Sequence, residues 1–214
     1  MTDLKVKVEY FEELLGTYPA NPEIHSEFIA SKAPDAESRE QEIAAIGAEE
    51  YEEKSMTVFA RNAQGVPINY DYQWKGFFKD SCGMLRNADG KLSKQLKAYK
   101  KRIDGLVFVL IFVYPRQIPL ILPKGGFIGS CQRPLRASTA QGERVALANS
   151  ETVPAGTIQE FEIRILQDSL LPVVLEWLTY GELHGTGQWR NSGKGRFYFA
   201  AVDESGKVYS NMPK

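Results

Sequence analysis

The sequence contains few of the side chains that most often bind metals or act as nucleophiles. Its 214 residues include two cysteines, Cys82 and Cys131, and two histidines, His25 and His184. The cysteines lack the short spacing of a zinc site. A reduced, cytoplasmic protein is therefore the simplest interpretation, with pairing of the two cysteines left open. The chain also lacks a Walker loop and a nucleophile elbow. We expect neither a cofactor nor a metal site.

Long apolar runs are missing as well. The most apolar stretch, Gly105 to Val113, is too short to cross a bilayer, and Met1 to Lys5 carries no apolar signal region. With 43% apolar and 25% charged residues, the composition is that of an ordinary soluble globular protein. These features predict no membrane association. The length of 214 residues suits one elaborated domain or two small ones.

The net charge of −1 is unevenly distributed along the chain. Residues 1–60 contain 5 Lys and Arg against 14 Asp and Glu, whereas residues 61–214 contain 21 against 13. This asymmetry indicates an acidic segment beside a basic surface. A solvated acidic helix that happens to come early explains the acidic segment equally well.

Hydrophobic periodicity predicts an α+β fold. The predicted strands are Leu4–Tyr10, Met56–Ala60, Val66–Tyr72, Leu106–Tyr114, Gly142–Ala148, Ile158–Leu166 and Phe197–Val202. The predicted helices are Gln73–Arg86, Lys91–Arg102 and Ser169–Gly181, with a short helix from Pro22 to Ile29 and another within Ala33–Glu53. With its insertions removed, this order is β-α-β-β-α-β, which is the ferredoxin-like, RRM-type arrangement. We expect a single elaborated domain over residues 1–214, with an acidic insertion at about 19–56 and an extended insertion at about 115–141.

Turn and capping residues set the expected boundaries. Asp168-Ser169 is a candidate N-cap for the last helix, Pro172 suits its first turn and Gly181 is a candidate C-cap. Asn62 to Gly65 predicts a hairpin between two short strands. Glu151 to Thr157 predicts a turn before the strand that follows it.

The stretch from Gly185 to Arg196, here called the glycine loop, is the strongest candidate for ligand binding. Glycines let backbone amides approach an anion, the cations add positive charge, and tryptophan offers a stacking face. Trp189 fits a core or interface anchor equally well, and the cations also suit a solvated turn. Their setting among glycines favours contact with a nucleic-acid backbone or another phosphate-bearing ligand. The candidate binding residues are Gly187, Trp189, Arg190, Gly193, Lys194 and Arg196.

Further candidate cations lie on the predicted helix Gln73–Arg86. Helical spacing places its apolar residues on one face and Lys75, Lys79 and Arg86 on another. Cations on a helix face neutralise phosphates and release counterions, which makes binding depend on salt. An ordinary solvated face is the alternative. Arg133 and Arg136 lie between glycine turns and are candidates without a recognisable motif.

Together these motifs resemble the RAMP superfamily of CRISPR-associated proteins, especially the backbone subunits that line crRNA in effector complexes. Such subunits carry an arginine-valine pair, a Glu-x-Val-Pro-x-Gly-Thr turn, a strand, a helix, a glycine-rich loop and an earlier helix start containing Lys-Gly. The similar stretches here are Gly142–Val145, Glu151–Thr157, Ile158–Leu166, Ser169–Gly181, Gly185–Arg196 and Trp74–Phe78. The resemblance covers roughly residues 73–199. It implies a modified RRM fold, guide RNA as ligand and subunits that stack into a filament.

The leading hypothesis is a non-catalytic RNA-binding protein. It would grip the phosphate backbone of guide-type or other single-stranded RNA, and would self-associate or dock on a CRISPR effector complex. The first alternative is a protein-interaction module, a subunit mimic or inhibitor whose acidic insertion faces a basic partner surface. A stand-alone or virus-encoded relative fits either hypothesis. The second alternative is an endoribonuclease.

Few residues are candidates for catalysis. Some RAMP relatives cleave RNA with a histidine-centred site, or with an acidic residue and a metal. His184 borders the glycine loop and suits general acid or base chemistry near a phosphate. The sequence shows no partner for it, and a structural histidine is the alternative. Asp35, in the acidic insertion, is the candidate metal-associated acid, although any exposed aspartate would look the same.

Overall fold

The structure, a computed structural model, describes residues 1–20, 56–96, 109–139 and 142–213. The chain forms two compact units. The first comprises Met1–Leu14, Ala60–Phe127 and Val153–Lys214, and the second comprises Leu15–Phe59 and Ile128–Thr152. Most of the predicted acidic insertion, residues 21–55, lies outside the described residues, and Asp35 with it. The single domain over residues 1–214 stays a prediction.

The described strands and helices are as follows. The strands are β1 (Thr2–Tyr10), β2 (Leu14–Leu15), β3 (Tyr18–Pro19), β4 (Thr57–Val58), β5 (Ala60–Arg61), β6 (Pro67–Tyr70), β7 (Ile111–Tyr114), β8 (Gln117–Pro119), β9 (Gly129–Thr139), β10 (Gly142–Val153), β11 (Ile158–Ile165), β12 (Phe197–Asp203) and β13 (Val208–Ser210). The α-helices are α1 (Asp71–Leu85), α2 (Leu92–Gln95) and α3 (Leu171–His184), with short 3-10 helices at Asp168–Leu170 and Arg190–Ser192. The predicted α+β class is confirmed.

A five-stranded antiparallel sheet organises the first unit, in the order β13-β12-β1-β11-β7. Strand β1 lies at its centre, paired with β11 on one side and β12 on the other. Its residues alternate: Leu4 and Val6 are buried, whereas Lys5 and Lys7 are exposed. A period of two sends one set of side chains to the core and the other to the open face of the sheet. Strands β11 and β12 alternate in the same way.

Helix α1 covers the core face of the first unit. Its first turn is closed by the Gln73 side chain, whose Oε1 accepts the Tyr70 backbone N–H at 2.7 Å. Its apolar stripe buries Trp74 against Phe161 of β11 and Phe197 of β12, with ring centroids 4.4 and 5.4 Å apart. Edge and tilted aromatic contacts of this kind contribute beyond the area they bury. The predicted helix is therefore confirmed, with a start two residues earlier.

Helix α3 begins and ends at other residues than predicted. A 3-10 turn precedes it, so Asp168 is not its N-cap; that carboxylate accepts a hydrogen bond from the Thr2 hydroxyl at 2.8 Å instead. Pro172 lies in the first turn as predicted. Gly181 lies inside the helix and does not end it. Its lack of a side chain leaves room for the Phe197 ring, with which a Cβ would collide. The helix ends at His184, and Gly185 follows with a φ of 72°.

Three other boundaries differ from the prediction. Helix α2 ends at Gln95, short of the predicted end at Arg102. Residues 97–108, which include the rest of that predicted helix and the start of the predicted strand Leu106–Tyr114, lie outside the described residues. Strand β7 begins at Ile111. The predicted turn Glu151–Thr157 is a strand in its first part, because Thr152 of β10 pairs with Gly129 of β9.

Smaller sheets complete the two units. In the first unit, β5, β6 and β8 form a three-stranded sheet, and the predicted hairpin at Asn62 is confirmed. The Asn62 side chain accepts the backbone N–H groups of Gln64 and Val66 at 3.0 and 2.9 Å. The second unit contains a sheet in the order β2-β10-β4-β3, with β9 also paired to β10. None of the described helices is long and apolar enough to span a membrane.

Candidate functional site

The glycine loop lies between α3 and β12 and is held by backbone hydrogen bonds to itself and to the end of β1. Thr186 donates its N–H to the Gly195 carbonyl at 2.9 Å, and Gly195 donates to the Glu13 carbonyl at 2.8 Å. Phe11 donates to the Arg196 carbonyl at 3.1 Å, which extends the pairing of β1 and β12 into the loop. The loop is therefore a fixed extension of the two strands.

Two of its glycines are required by this closure. A Cβ at Gly185 would lie 2.5 Å from the Lys194 carbonyl oxygen, and one at Gly195 would collide with the Thr186 carbonyl. Both residues also have positive φ, at 72° and 70°, where a side chain is strained. These two glycines are explained by the loop's own packing. Gly187 and Gly193, the predicted binding glycines, also have positive φ, at 73° and 84°.

Trp189 has an unusual backbone conformation for a large residue. Its φ of 56° and ψ of 36° lie in the left-handed region, which is rare for bulky side chains. It precedes the short 3-10 turn Arg190–Ser192, and its carbonyl accepts the Ser192 N–H at 3.0 Å. Its side chain is 39% exposed. Strain held on a partly exposed tryptophan is typical of positions that contact a ligand.

Arg190 belongs to a cluster with His184 and Asp80. His184 Nε2 lies 2.7 Å from Asp80 Oδ2 and 2.6 Å from Arg190 Nη1, and Arg190 also donates to the same Asp80 oxygen. Tyr180 stacks on the His184 ring with centroids 5.0 Å apart. Partial burial acts to raise the pKa of the Asp80 carboxyl, but the hydrogen bonds from His184 and Arg190 outweigh burial and hold that pKa below its usual value. Asp80 is therefore ionised at neutral pH and holds both partners.

A second carboxylate binds the other end of the loop. Lys194 Nζ donates to Glu13 Oε2 at 2.7 Å, and the two side chains are 20% and 45% exposed. Two of the three predicted loop cations are thus paired with carboxylates within the chain. Arg196 differs: within the described ranges its Nε atom is buried and has no hydrogen-bond partner.

A buried polar network supports the loop from the core. Thr186 donates its hydroxyl to the Tyr10 oxygen at 3.3 Å, and Tyr10 donates to Gln159 Oε1 at 3.0 Å. Asn69 donates to the same Gln159 oxygen, and Gln159 donates to the Ile118 carbonyl, both at 3.1 Å. Burial raises the pKa of the Tyr10 hydroxyl, which stays protonated and remains a donor. The network connects the start of the glycine loop to β1, β6, β8 and β11.

The open face of the sheet carries balanced charge. Arg164 binds Asp3 through two nitrogens, Nε to Oδ1 at 2.8 Å and Nη2 to Oδ2 at 2.6 Å. Next to them along β1 and β11, the register places Lys5 opposite Glu162 and Lys7 opposite Glu160. Opposite charges that face each other across two neighbouring strands stabilise the pairing of those strands, and their electrostatic potentials largely cancel. A groove of about 820 Å³ on this face is lined by these lysines and glutamates, so it presents little attraction to a polyanion.

The remaining predicted cations lie in different places. Lys75 Nζ lies 4.9 Å from the centre of the Phe112 ring. Lys79 lies on α1 and Arg86 directly follows it, and both residues are half-buried. Arg133 belongs to the second unit, where it is 7% exposed and donates to the Ser150 hydroxyl at 3.4 Å. The side chain of Arg136 lies outside the described residues.

The sequence did not reveal the carboxylates that bind the loop. Asp80 precedes Arg190 by 110 residues and Glu13 precedes Lys194 by 181, so no local spacing connects them. Asp80 is adjacent to Lys79, a candidate binding residue. Nothing in the sequence of this helix indicates that Asp80 contacts a distant histidine. Among the described residues, no group of three or more His, Cys, Asp or Glu side chains is placed to hold a metal ion.

Comparisons with known proteins find distant structural similarity only. No protein-family model and no curated protein matches the chain. Among solved structures, it is similar to a chain of the Type III-B Cmr-beta complex bound to cognate target RNA, with TM-score 0.47, 10% identity, and coverage of 98% of this chain and 60% of that one. It is also similar to a chain of a Type IV-B CRISPR complex, with TM-score 0.43, 11% identity, and coverage of 99% and 94%. The chain thus spans about 60% of the length of the Cmr-beta chain. Similarity at this level assigns neither activity nor partners.

Proposed function

We propose that the first unit is a ferredoxin-like, RRM-type domain and that the chain is a RAMP-like, CRISPR-associated protein that binds single-stranded RNA through the glycine loop. The antiparallel order β12-β1-β11-β7 supports the fold, because α1 follows β1 and α3 follows β11, as a β-α-β-β-α-β chain requires. The sequence motifs from residue 73 to residue 199 support the family. Subunits of this kind self-associate or dock on an effector complex.

One observation carries the proposal. The glycine loop holds three cations and a strained, partly exposed tryptophan on a hydrogen-bonded turn at the end of the central strand. Cations fix a phosphate backbone and an aromatic ring accepts a base, and together they bind single strands without reading sequence. The charge-balanced open face of the sheet has no comparable concentration of positive charge.

RNA that binds the loop would have to compete with the two ion pairs that Arg190 and Lys194 form. A phosphate that contacts Arg190 or Lys194 competes with Asp80 or Glu13 for the same donors. Both pairs are partly exposed, so each contributes little and can be exchanged for a phosphate. Binding would therefore be moderate at physiological salt and would weaken as salt rises.

The test is RNA binding by the purified protein over a series of salt concentrations. Three phosphate contacts on a single strand give a slope of log affinity against log salt of about −2. The double change Arg190→Glu and Lys194→Glu should abolish binding at low salt. The control is Lys5→Glu with Lys7→Glu, which makes the same charge change on the open face. Equal losses in both variants, or no binding by the unchanged protein, would overturn the proposal.

The contact between His184 and Asp80 favours endoribonuclease activity as a second candidate. A histidine held by a carboxylate next to an arginine has the parts of an acid–base site for phosphodiester cleavage. Incubation with labelled single-stranded RNA tests it. Cleavage that is lost in His184→Ala but retained in the Lys5 and Lys7 control would support this activity, and intact RNA after long incubation would eliminate it. A protein that binds no RNA would turn the search to the interaction-module alternative and the acidic insertion.

A further inference from the structure

Two aromatic rings meet on the open face of the sheet beside the glycine loop. Tyr198 lies between the buried residues Phe197 and Phe199 of β12, so its side chain faces the open side. The Phe11 ring contacts it with centroids 4.4 Å apart and planes tilted by 31°. Both residues are half-buried, so neither is enclosed in the core.

Arg196 lies beside this pair. It directly follows the glycine loop's last glycine, and its carbonyl accepts the Phe11 N–H at 3.1 Å. Because the residue after it, Phe197, is buried in the core, the alternation places Arg196 on the same face as Phe11 and Tyr198. Its guanidinium packs against Gly193, where an added Cβ would lie 3.4 Å from Cζ. The guanidinium therefore lies against the body of the loop, at the end of the sheet where the two rings meet.

The local charges distinguish a base from a phosphate at this position. Glu9 lies directly opposite Tyr198 in the register and is exposed on the same face. A carboxylate there repels a phosphate above Tyr198 but tolerates an uncharged ring. The positive charge lies on the loop side, at Arg196 and Lys194. A nucleotide thus fits with its phosphate towards the loop and its base over the rings.

We propose that Phe11 and Tyr198 form a subsite for one unpaired nucleobase, with Arg196 of the phosphate-binding glycine loop on the side of the nucleotide's phosphate. This inference rests on the proposed RNA binding and adds the requirement that the bound nucleotide be single-stranded, because a paired base cannot reach the rings. The subsite stacks bases without choosing among them, since every base has an aromatic face.

The experiment compares two labelled oligonucleotides of equal length, one with normal bases and one with abasic sugars along the same backbone. Tyr198→Ala should weaken binding of the base-bearing strand by roughly 5- to 150-fold and leave the abasic strand unchanged. Phe11→Leu, which keeps an apolar side chain but removes the ring, should act in the same direction. Tyr198→Phe should restore the affinity of the unchanged protein. Tyr114 is an exposed ring on β7, the strand at the far edge of the same sheet, and Tyr114→Ala should have no effect.

The outcomes separate the subsite from the proposed function. Base-bearing and abasic strands that bind equally, or that lose affinity equally in Tyr198→Ala, would overturn the subsite while salt-dependent backbone binding stands. Failure of the unchanged protein to bind either strand would overturn both. Thermal unfolding of each variant excludes loss of structure as the cause.

Discussion

Replacing Glu13 with glutamine should strengthen RNA binding. Glu13 Oε2 lies 2.7 Å from Lys194 Nζ, so this carboxylate competes with a phosphate for the lysine. A partly exposed ion pair contributes at most about 1 kcal/mol, and removing this competition corresponds to roughly a fivefold gain in affinity. Glutamine keeps the size of the side chain. It also keeps the backbone carbonyl that accepts the Gly195 N–H at 2.8 Å, so the loop stays closed.

The assay is fluorescence anisotropy of a labelled single-stranded RNA between about 50 and about 200 mM salt. One additional available cation should steepen the slope of log affinity against log salt by about 0.7. Glu12→Gln is the matched control, because it removes the same charge from the adjacent residue, for which the described structure shows no ion pair. An unchanged or weaker affinity in Glu13→Gln, or an equal gain in Glu12→Gln, would refute the competition between Glu13 and RNA.

Three further changes test the parts that hold the site. Tyr10→Phe removes the hydroxyl between Thr186 and Gln159 and should lower the free energy of unfolding by about 1–2 kcal/mol in urea denaturation, and an unchanged midpoint would contradict the network. Gly181→Ala should cost about 1–3 kcal/mol because of the Phe197 ring, whereas Gly76→Ala, with open space around its Cβ, should not destabilise. Folding lowers the pKa of Asp80, so its contribution is present above the unfolded pKa near 4 and is lost as pH falls. The stability advantage over Asp80→Asn should accordingly be largest above the unfolded pKa and decrease as the pH falls below it, and an advantage that does not decrease in acid would contradict the role of its charge.

The strands of the main sheet could be predicted because one-sided burial leaves a local mark. β1, β11 and β12 alternate apolar and polar residues, and their observed ends lie within about two residues of the predicted ones. Helix α1 shows its apolar stripe in the same direct way. The pattern reports which face is buried and needs no knowledge of the partner element.

The boundaries that failed depend on distant residues. Gly181 has the composition of a helix end, but its lack of a side chain serves the Phe197 ring, which is 16 residues away in sequence. Glu151 to Val153 looks like part of a turn, but pairing with β9 makes it a strand. Tertiary packing overrides local preference at both positions.

In the candidate site, too, some residues could be predicted from local sequence and others could not. Its glycines and cations are adjacent in sequence, so the loop was visible as a group. The carboxylates of Asp80 and Glu13 and the ring of Phe11 come from other elements, and only the fold brings them to the loop. The two carboxylates matter because they partly balance the positive charge of the loop, which the sequence alone had suggested was unpaired.

The central claim is that RNA lies on the glycine loop, and its most direct test locates the RNA by photo-crosslinking. Single-stranded RNA carrying 4-thiouridine would be irradiated with the full chain, and crosslinked peptides would be mapped by mass spectrometry. The proposal predicts crosslinks at Trp189 and Tyr198 that disappear at high salt. Crosslinks confined to the second unit or to the charge-balanced face around Lys5 would contradict it.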